Sequence, residues 1–285
     1  MKGNAAMGGN GIGRRPNGAG LDRSGVIIPT LSVTMRQIRE HKGLTRVSAY
    51  ECHRITQNYL ADLERGKYKP SSALLERLIA GYRLDADQAR HLRELRARAV
   101  ELIPEEELHR RVYADPAFGA HLQDLQERGI PAAYLSRVFN VIECNDLLRA
   151  VLPGLDEVDS ILLWMFTPDA RDIVVDWEPE AVRTVATVKG VLGRHRETVQ
   201  AADVVRKLQH SKTCGEIWTS NIDISYGRDS TDLKLFRDRA GRIVSYSITM
   251  SEVPEASGLM LLRAIRKRCV PNMPPFEASA AGVAG

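Results

Sequence analysis

The sequence predicts a chain of class α + (α+β): a five-helix all-α domain, then a larger α+β domain. Three observations predict it. Between residues 32 and 102, apolar side chains recur at helical spacing in short blocks separated by helix-stop and helix-start residues. Period-two alternation first shows around Val138–Ile142 and dominates residues 222–250. The charge also divides: residues 1–103 carry 18 Lys and Arg against 10 Asp and Glu, and residues 104–285 carry 22 against 26. A basic module joined to an acidic one suits a polyanion-binding domain with a different partner domain. Chance and solvated helix faces give the same split, so pattern has to decide.

The elements follow in order. Residues 1–30 open on a Gly-, Asn- and Arg-rich stretch that cannot offset its ordering entropy, and are expected to be a disordered tail. Met35 and Ile38 open a first helix that stops at Gly43. Thr45 has N-cap chemistry for a second, Arg46 to about His53, and Thr56 for a third, with Leu60 and Leu63 inward and a stop at Gly66. Pro70-Ser71-Ser72 start a fourth with Leu74, Leu75, Leu78 and Ile79 on one face. A fifth runs from Asp87 to about Leu102. These make a domain over 31–103. Residues 104–116 read as a linker that is in part helical and 117–262 as the α+β domain, with helices over 145–210. Ile222, Ile224 and Tyr226 share a strand face, followed by strands through Leu233-Leu235 and Val244–Met250. Leu259–Val270 reads as a basic closing helix, within a basic, partly disordered tail over 263–285.

Composition excludes several classes. With 44% apolar and 27% charged residues the chain is neither collagenous nor wholly disordered. Its apolar runs are far shorter than the roughly 20 residues of a membrane span, and no secretory signal opens it, so the expected location is cytoplasmic. Cys52, Cys144, Cys214 and Cys269 form no CxxC pair and are expected to be reduced and inert. Neither HExxH, GxSxG nor a Walker lysine is present, and the seven histidines lack metal-ligand spacing. No catalytic residue, metal or cofactor is expected, and an enzyme with a scattered site is the minor reading. Arg194-His195-Arg196 reads as a solvated basic turn rather than a phosphate site.

Three runs then stand out: Gly43-Leu44-Thr45, Thr56-Gln57-Asn58-Tyr59-Leu60 and Leu63-Glu64-Arg65-Gly66-Lys67, with Pro70-Ser71 after them. Over Met35–Leu84 the chain resembles the Cro/repressor-type helix-turn-helix of the XRE family. The resemblance implies a recognition helix in the major groove, whose first turn and exposed face contact base edges. Gln57 and Asn58 lie in that turn, where each can pair bidentately with adenine. Thr56 and Tyr59 flank them, and Asp62 follows one turn on, able to accept from cytosine or orient a neighbour. Arg46, Lys67 and Lys69 suit phosphates. The competing reading makes Gln57, Asn58 and Asp62 a plain solvated face. Arg39 and Glu64 match the family's structural ion pair. Arg54 stands where the inter-helix turn commonly has Gly, which predicts a left-handed residue at a cost of about 1 kcal/mol. Tyr50 and His53 replace smaller or apolar residues in the second helix.

Residues 118–258 resemble the ligand-binding domain of MmyB-like regulators, a PAS-like sensor fold. Pro131-Ala132-Ala133-Tyr134, Val141-Ile142-Glu143-Cys144-Asn145, Leu162–Thr167, Asp176-Trp177-Glu178 and Glu216-Ile217-Trp218 carry the resemblance, with Asp232–Leu235 and the last strand. It implies a lipophilic ligand such as a fatty acid. Phe139, Trp164, Phe166, Trp177, Trp218 and Tyr226 are the candidate pocket residues; ordinary core is their other reading. The whole reads as a sequence-specific transcription regulator, a homodimer on an inverted-repeat operator in double-stranded DNA. In the rival reading the second domain only dimerises or binds a partner protein.

Overall fold

The computed structural model describes residues 25–228 and 232–267. The first domain holds α1 (Leu31–His41), α2 (Ala49–His53), α3 (Gln57–Glu64), α4 (Ser72–Gly81) and α5 (Ala86–Arg96). Local chemistry sets their ends. Ser71 Oγ accepts the Leu74 amide at 3.2 Å, and Asp85 with Gln88 forms a reciprocal capping box. The turn into α2 is closed by Thr45, whose hydroxyl accepts the Ser48 amide at 3.1 Å. Arg54 ends α2 at φ 55, the left-handed residue that the sequence predicts there. Met35, Ile38, Leu60, Leu63, Leu75 and Leu92 meet in the core. Gly81 lets α4 pass close to α2, because a Cβ there would lie 2.5 Å from the Cys52 carbonyl oxygen.

His53 replaces an apolar residue without leaving a buried polar atom unpaired. Its Nδ1 accepts the Ile55 amide at 3.2 Å, so the ring proton sits on Nε2, which reaches Tyr82 Oη at 3.2 Å. Tyr50 causes no crowding, since its ring faces outwards.

Residues 104–116 are mostly helical and packed. Most of them are α6 (Glu105–Ala114), whose Leu108 and Val112 are buried against α7 (Pro116–Glu127). Next come β1 (Ala132–Leu135), β2 (Val141–Cys144), the short helices α8 (Asp146–Val151), α9 (Leu155–Val158), α10 (Ile161–Trp164) and α11 (Pro168–Ile173), and the longer α12 (Trp177–Arg194), α13 (Val199–Leu208) and α14 (Lys212–Ser220). Strands β3 (Lys234–Arg237), β4 (Ile243–Glu252) and β5 (Met260–Lys267) close the domain. The five strands form one antiparallel sheet in the order β2-β1-β5-β4-β3. Buried Asn145 ties its first strands together: Oδ1 accepts the Ala132 and Leu148 amides at 3.1 Å, and Nδ2 donates to the Ile130 carbonyl at 2.9 Å.

Three expectations are corrected. The closing helix is strand β5, whose Ala133↔Leu262 and Ile248↔Ala264 pairings place it between β1 and β4; residues 263–267 therefore belong to the sheet, and 268–285 lie outside the described residues. The 222–226 strand is an irregular run against the first domain. The tail expected over 1–30 lies outside the described residues as far as 24, but Val26 is fully buried among α12, α13 and α14, and Gln209 Nε2 donates to its carbonyl at 3.0 Å.

Candidate nucleic-acid interface and ligand site

Helix α3 sits on the first domain with Leu60, Leu63 and Glu64 buried and Thr56, Gln57, Asn58 and Tyr59 exposed. Among the described residues, Gln57 and Asn58 make no side-chain hydrogen bond, so both amides are open to a partner. Glu64 anchors the helix from below. Arg39 binds it with two nitrogens, Nε at 2.5 Å and Nη2 at 3.0 Å, and its third, Nη1, donates to the Leu44 carbonyl at 2.7 Å. A buried charge is tolerable when its remaining atoms are bonded this completely.

Not every expected contact residue stands free. Arg46 Nε donates to Glu64 Oε2 at 2.8 Å, so its guanidinium is shared with the anchor rather than reserved for phosphate. Asp62 is bracketed by Arg65 at 2.5 Å and Lys67 at 3.1 Å, and both hold its carboxyl below the usual carboxylate range, Lys67 most strongly. It orients cations more than it offers a free acceptor. Lys69 is exposed and has no ion pair among the described residues. The sequence reading missed Tyr68, which stacks on Tyr59 with ring centres 6.2 Å apart and planes at 15°. Val47, Tyr50, Tyr59 and Tyr68 are all exposed on α2, α3 and their flanks. Large apolar side chains beside exposed lysines were the available signal.

The opposite face of this domain, α5, packs on α12. His91 is buried against Gly193, where a Cβ would collide with its ring. Burial lowers its pKa to about 4, helped by the Lys189 and Arg196 charges. Tyr226 belongs to this seam and not to a ligand pocket: its hydroxyl donates to Glu94 Oε2 at 2.7 Å, and the Arg90 guanidinium lies 3.8 Å from its ring centre. The 194–196 turn is not merely solvated either. Arg196 Nη2 donates to the Ala97 carbonyl at 2.6 Å and His195 Nδ1 to the Val100 carbonyl at 2.7 Å.

The other candidate aromatics do not line one cavity. Trp164 is core, with Nε1 donating to the Pro153 carbonyl at 2.7 Å. Phe139 and Phe166 pack between it and the α12–α14 cluster, and Trp177 donates to the Met165 carbonyl at 2.8 Å. Trp218 lies beneath Lys189, whose ammonium donates to the Asn221 carbonyl at 2.8 Å and is pushed by burial to about 8. A groove of about 500 Å³ opens instead on the outer side of the Trp164 core: Val151, Phe236, Val244 and Tyr246 contribute apolar surface, with Arg237, Arg239 and Arg242 beside them. The thiols of Cys144 and Cys214 are buried and raised to about 11 and about 12, so both stay protonated; Cys269 lies outside the described residues.

A helical domain offering a polar helix face to solvent, docked on an α+β domain with an apolar groove, defines a DNA-binding regulator with a ligand-binding domain. Comparison with known families agrees: residues 30–92 match a helix-turn-helix domain, and residues 114–266 match the MmyB-like transcription regulator ligand binding domain. The second match spans more than half of the chain, which therefore belongs to the family of regulators with an MmyB-like ligand-binding domain. No curated protein matches the chain. Among the described residues no helix is long and apolar enough to cross a membrane.

Proposed function

We propose that the chain is a cytoplasmic, sequence-specific transcription regulator, not an enzyme, whose first domain is of the five-helix Cro/repressor type and whose second is a PAS-like sensor of a lipophilic acid such as a fatty acid. One observation carries the ligand reading: the groove joins apolar side chains to Arg237 and Arg239, with Arg242 beside them already paired to Asp238 at 2.7 Å, and this suits an alkyl chain ending in a carboxylate. The DNA reading rests on α3, with Gln57 and Asn58 placed for base edges and Lys69 for a phosphate. One short recognition helix covers little DNA, so the regulator works as a homodimer on an inverted repeat with half-sites about one helical turn apart.

The test is selection of an operator from random DNA with the full chain, then titration of that operator with and without medium- and long-chain fatty acids. A ligand controls DNA binding only through different affinities for the competent and incompetent states. The expected change in operator affinity is roughly 5- to 150-fold. It should be reduced by Arg239→Gln at the groove. Identical curves across the lipids would favour a domain that only dimerises, and a single protected half-site with a monomer in ultracentrifugation would remove the dimer.

A further inference from the structure

Where the chain passes from the first domain to the second, it lines a cavity of about 210 Å³. Its walls come from stretches far apart in sequence: Leu102 and Ile103 of the connection, Arg137 and Val138 between β1 and β2, Arg194 at the end of α12, and His195. The volume exceeds the roughly 150 Å³ that holds a benzene molecule in an engineered protein cavity. It is separate from the Phe236–Tyr246 groove, sharing no lining residue with it.

His195 gives this cavity its chemistry. The residue is 3% exposed. Its Nδ1 lies 2.7 Å from the Val100 carbonyl, and a carbonyl only accepts, so the ring proton is on Nδ1 and Nε2 carries a lone pair. Among the described residues nothing bonds Nε2. Burial is the main reason its pKa lies below the ordinary histidine value; the Arg194 and Arg137 charges act in the same direction, against the hydrogen bond to Val100 and the Glu94 charge. Nε2 is therefore an acceptor at neutral pH, in a cavity that Arg137 and Arg194 also line. Those guanidiniums are only partly engaged, Arg137 with Glu252 at 2.9 Å and Arg194 with Glu94 at 3.7 Å. Glu101 and Glu105 also line the cavity, and Glu105 already accepts from Asn140 Nδ2 at 2.6 Å.

We propose that this cavity is a second small-molecule site, one that takes a compact hydroxy acid with its carboxylate on Arg137 and Arg194, its hydroxyl donated to His195 Nε2 and its apolar body against Leu102, Ile103 and Val138. A molecule held this way ties the inter-domain connection to the domain beneath it. The connection is already fastened there, since the Val100 amide donates to the Arg194 carbonyl at 3.0 Å, so occupancy strengthens an existing contact.

The probe is mandelate, which carries a carboxylate, a hydroxyl and an apolar ring, titrated calorimetrically into the full chain without DNA. Saturable binding with Kd at or below about 1 mM is expected. Phenylacetate, which lacks the hydroxyl, and methyl mandelate, which lacks the charge, should each bind at least about tenfold more weakly. Arg137→Gln should lower mandelate affinity about tenfold or more with the thermal unfolding midpoint kept, and Arg239→Gln in the other groove should leave it unchanged. His195→Gln should also weaken binding; if that variant does not fold, Arg137→Gln decides. Absence of saturable heat up to about 10 mM overturns the site. So do equal affinities for mandelate and phenylacetate, or a loss of binding on Arg239→Gln.

Discussion

The first domain turns two faces outwards, and their polar groups obey different rules. On α3, Gln57 and Asn58 stand exposed with no protein bond, Tyr59 stacks only on Tyr68, and the charges around them are surface pairs. On α5, His91 is 1% exposed, Glu94 holds the Tyr226 hydroxyl, and carbonyls up to Val100 accept from the 195–196 turn. The first face retains unspent hydrogen-bonding capacity, as a reader of DNA requires. The second has spent almost all of its own on the other domain. The two domains are joined through packed α5 and α12 as well as through the chain that connects them.

The largest effect should come from the anchor beneath the open face. Glu64→Ala leaves the buried Arg39 guanidinium only the half-exposed Glu40 carboxylate at 3.2 Å and the Leu44 carbonyl, and the loss of its buried partner costs up to about 3–5 kcal/mol. Urea unfolding should show that loss, whereas Arg46→Ala, removing a partner that is 41% exposed, should cost less than about 1 kcal/mol. Equal losses for the two would mean that burial does not separate them as described.

The seam should be the acid-sensitive face. Unfolded histidine takes its proton near pH 6.5, while folded His91 resists protonation until about pH 4. The unfolded state then binds more protons within that window, so stability is complete above about pH 6.5 and falls as the pH drops towards 4. The contribution of His91 lost by pH 5 is about 2 kcal/mol, and His53 and His195, both lowered by burial, add in the same direction. His91→Gln should flatten the dependence of the urea midpoint on pH between 7 and 5. Gly193→Ala would force a methyl against the His91 ring and should cost about 1–3 kcal/mol, with faster hydrogen exchange along α5 and α12. An unchanged pH slope in His91→Gln would place the acid sensitivity elsewhere.

Those two faces also differ in how far the sequence reveals them. Helix α3 is legible because its signals are local: Leu60 and Leu63 beneath it and Gly66 at φ 72 after it, while Thr56 holds the extended N-cap position without a capping bond from its side chain. The seam is illegible because His91 and Gly193 are joined only by the fold. Alternation of Ile222, Ile224 and Tyr226 suggested a strand, yet it comes from packing on the first domain: Ile222 against the helical core, Tyr226 beneath Arg90. Met260-Leu261-Leu262 in β5 is a short apolar run, which periodicity alone cannot assign to helix or strand. Of the six candidate aromatics only Trp164 and Trp218 are fully buried, and residue type alone does not separate a core ring from a ligand-facing one. The basic groove is split between Val151 and the β3–β4 region, and no local motif announces it.

On the open face, Gln57→Ala and Asn58→Ala should each cost about 1–3 kcal/mol of operator binding and relax specificity at the bases concerned. Stability should hardly change, because neither side chain bonds within the protein. Filter or anisotropy titrations against cognate and scrambled DNA separate the two effects. Intact operator binding in the double variant would take α3 out of the groove.

The smallest effect sharpens the same face, and Asp62 decides its sign. If Asp62 reads a cytosine, Asp62→Ala weakens the cognate site and leaves other DNA alone. The ion pairs with Arg65 and Lys67 point the other way: the carboxylate offsets two cations beside the phosphate path. Its removal frees them, so binding to all DNA should tighten by roughly two- to fivefold at low salt, as befits surface pairs. Each new phosphate contact should also steepen the salt dependence by nearly one unit of slope. Lys69→Ala should do the reverse, flattening the slope by about one. A weakened cognate complex with an unchanged salt slope in Asp62→Ala would return this residue to base recognition and make its two ion pairs incidental.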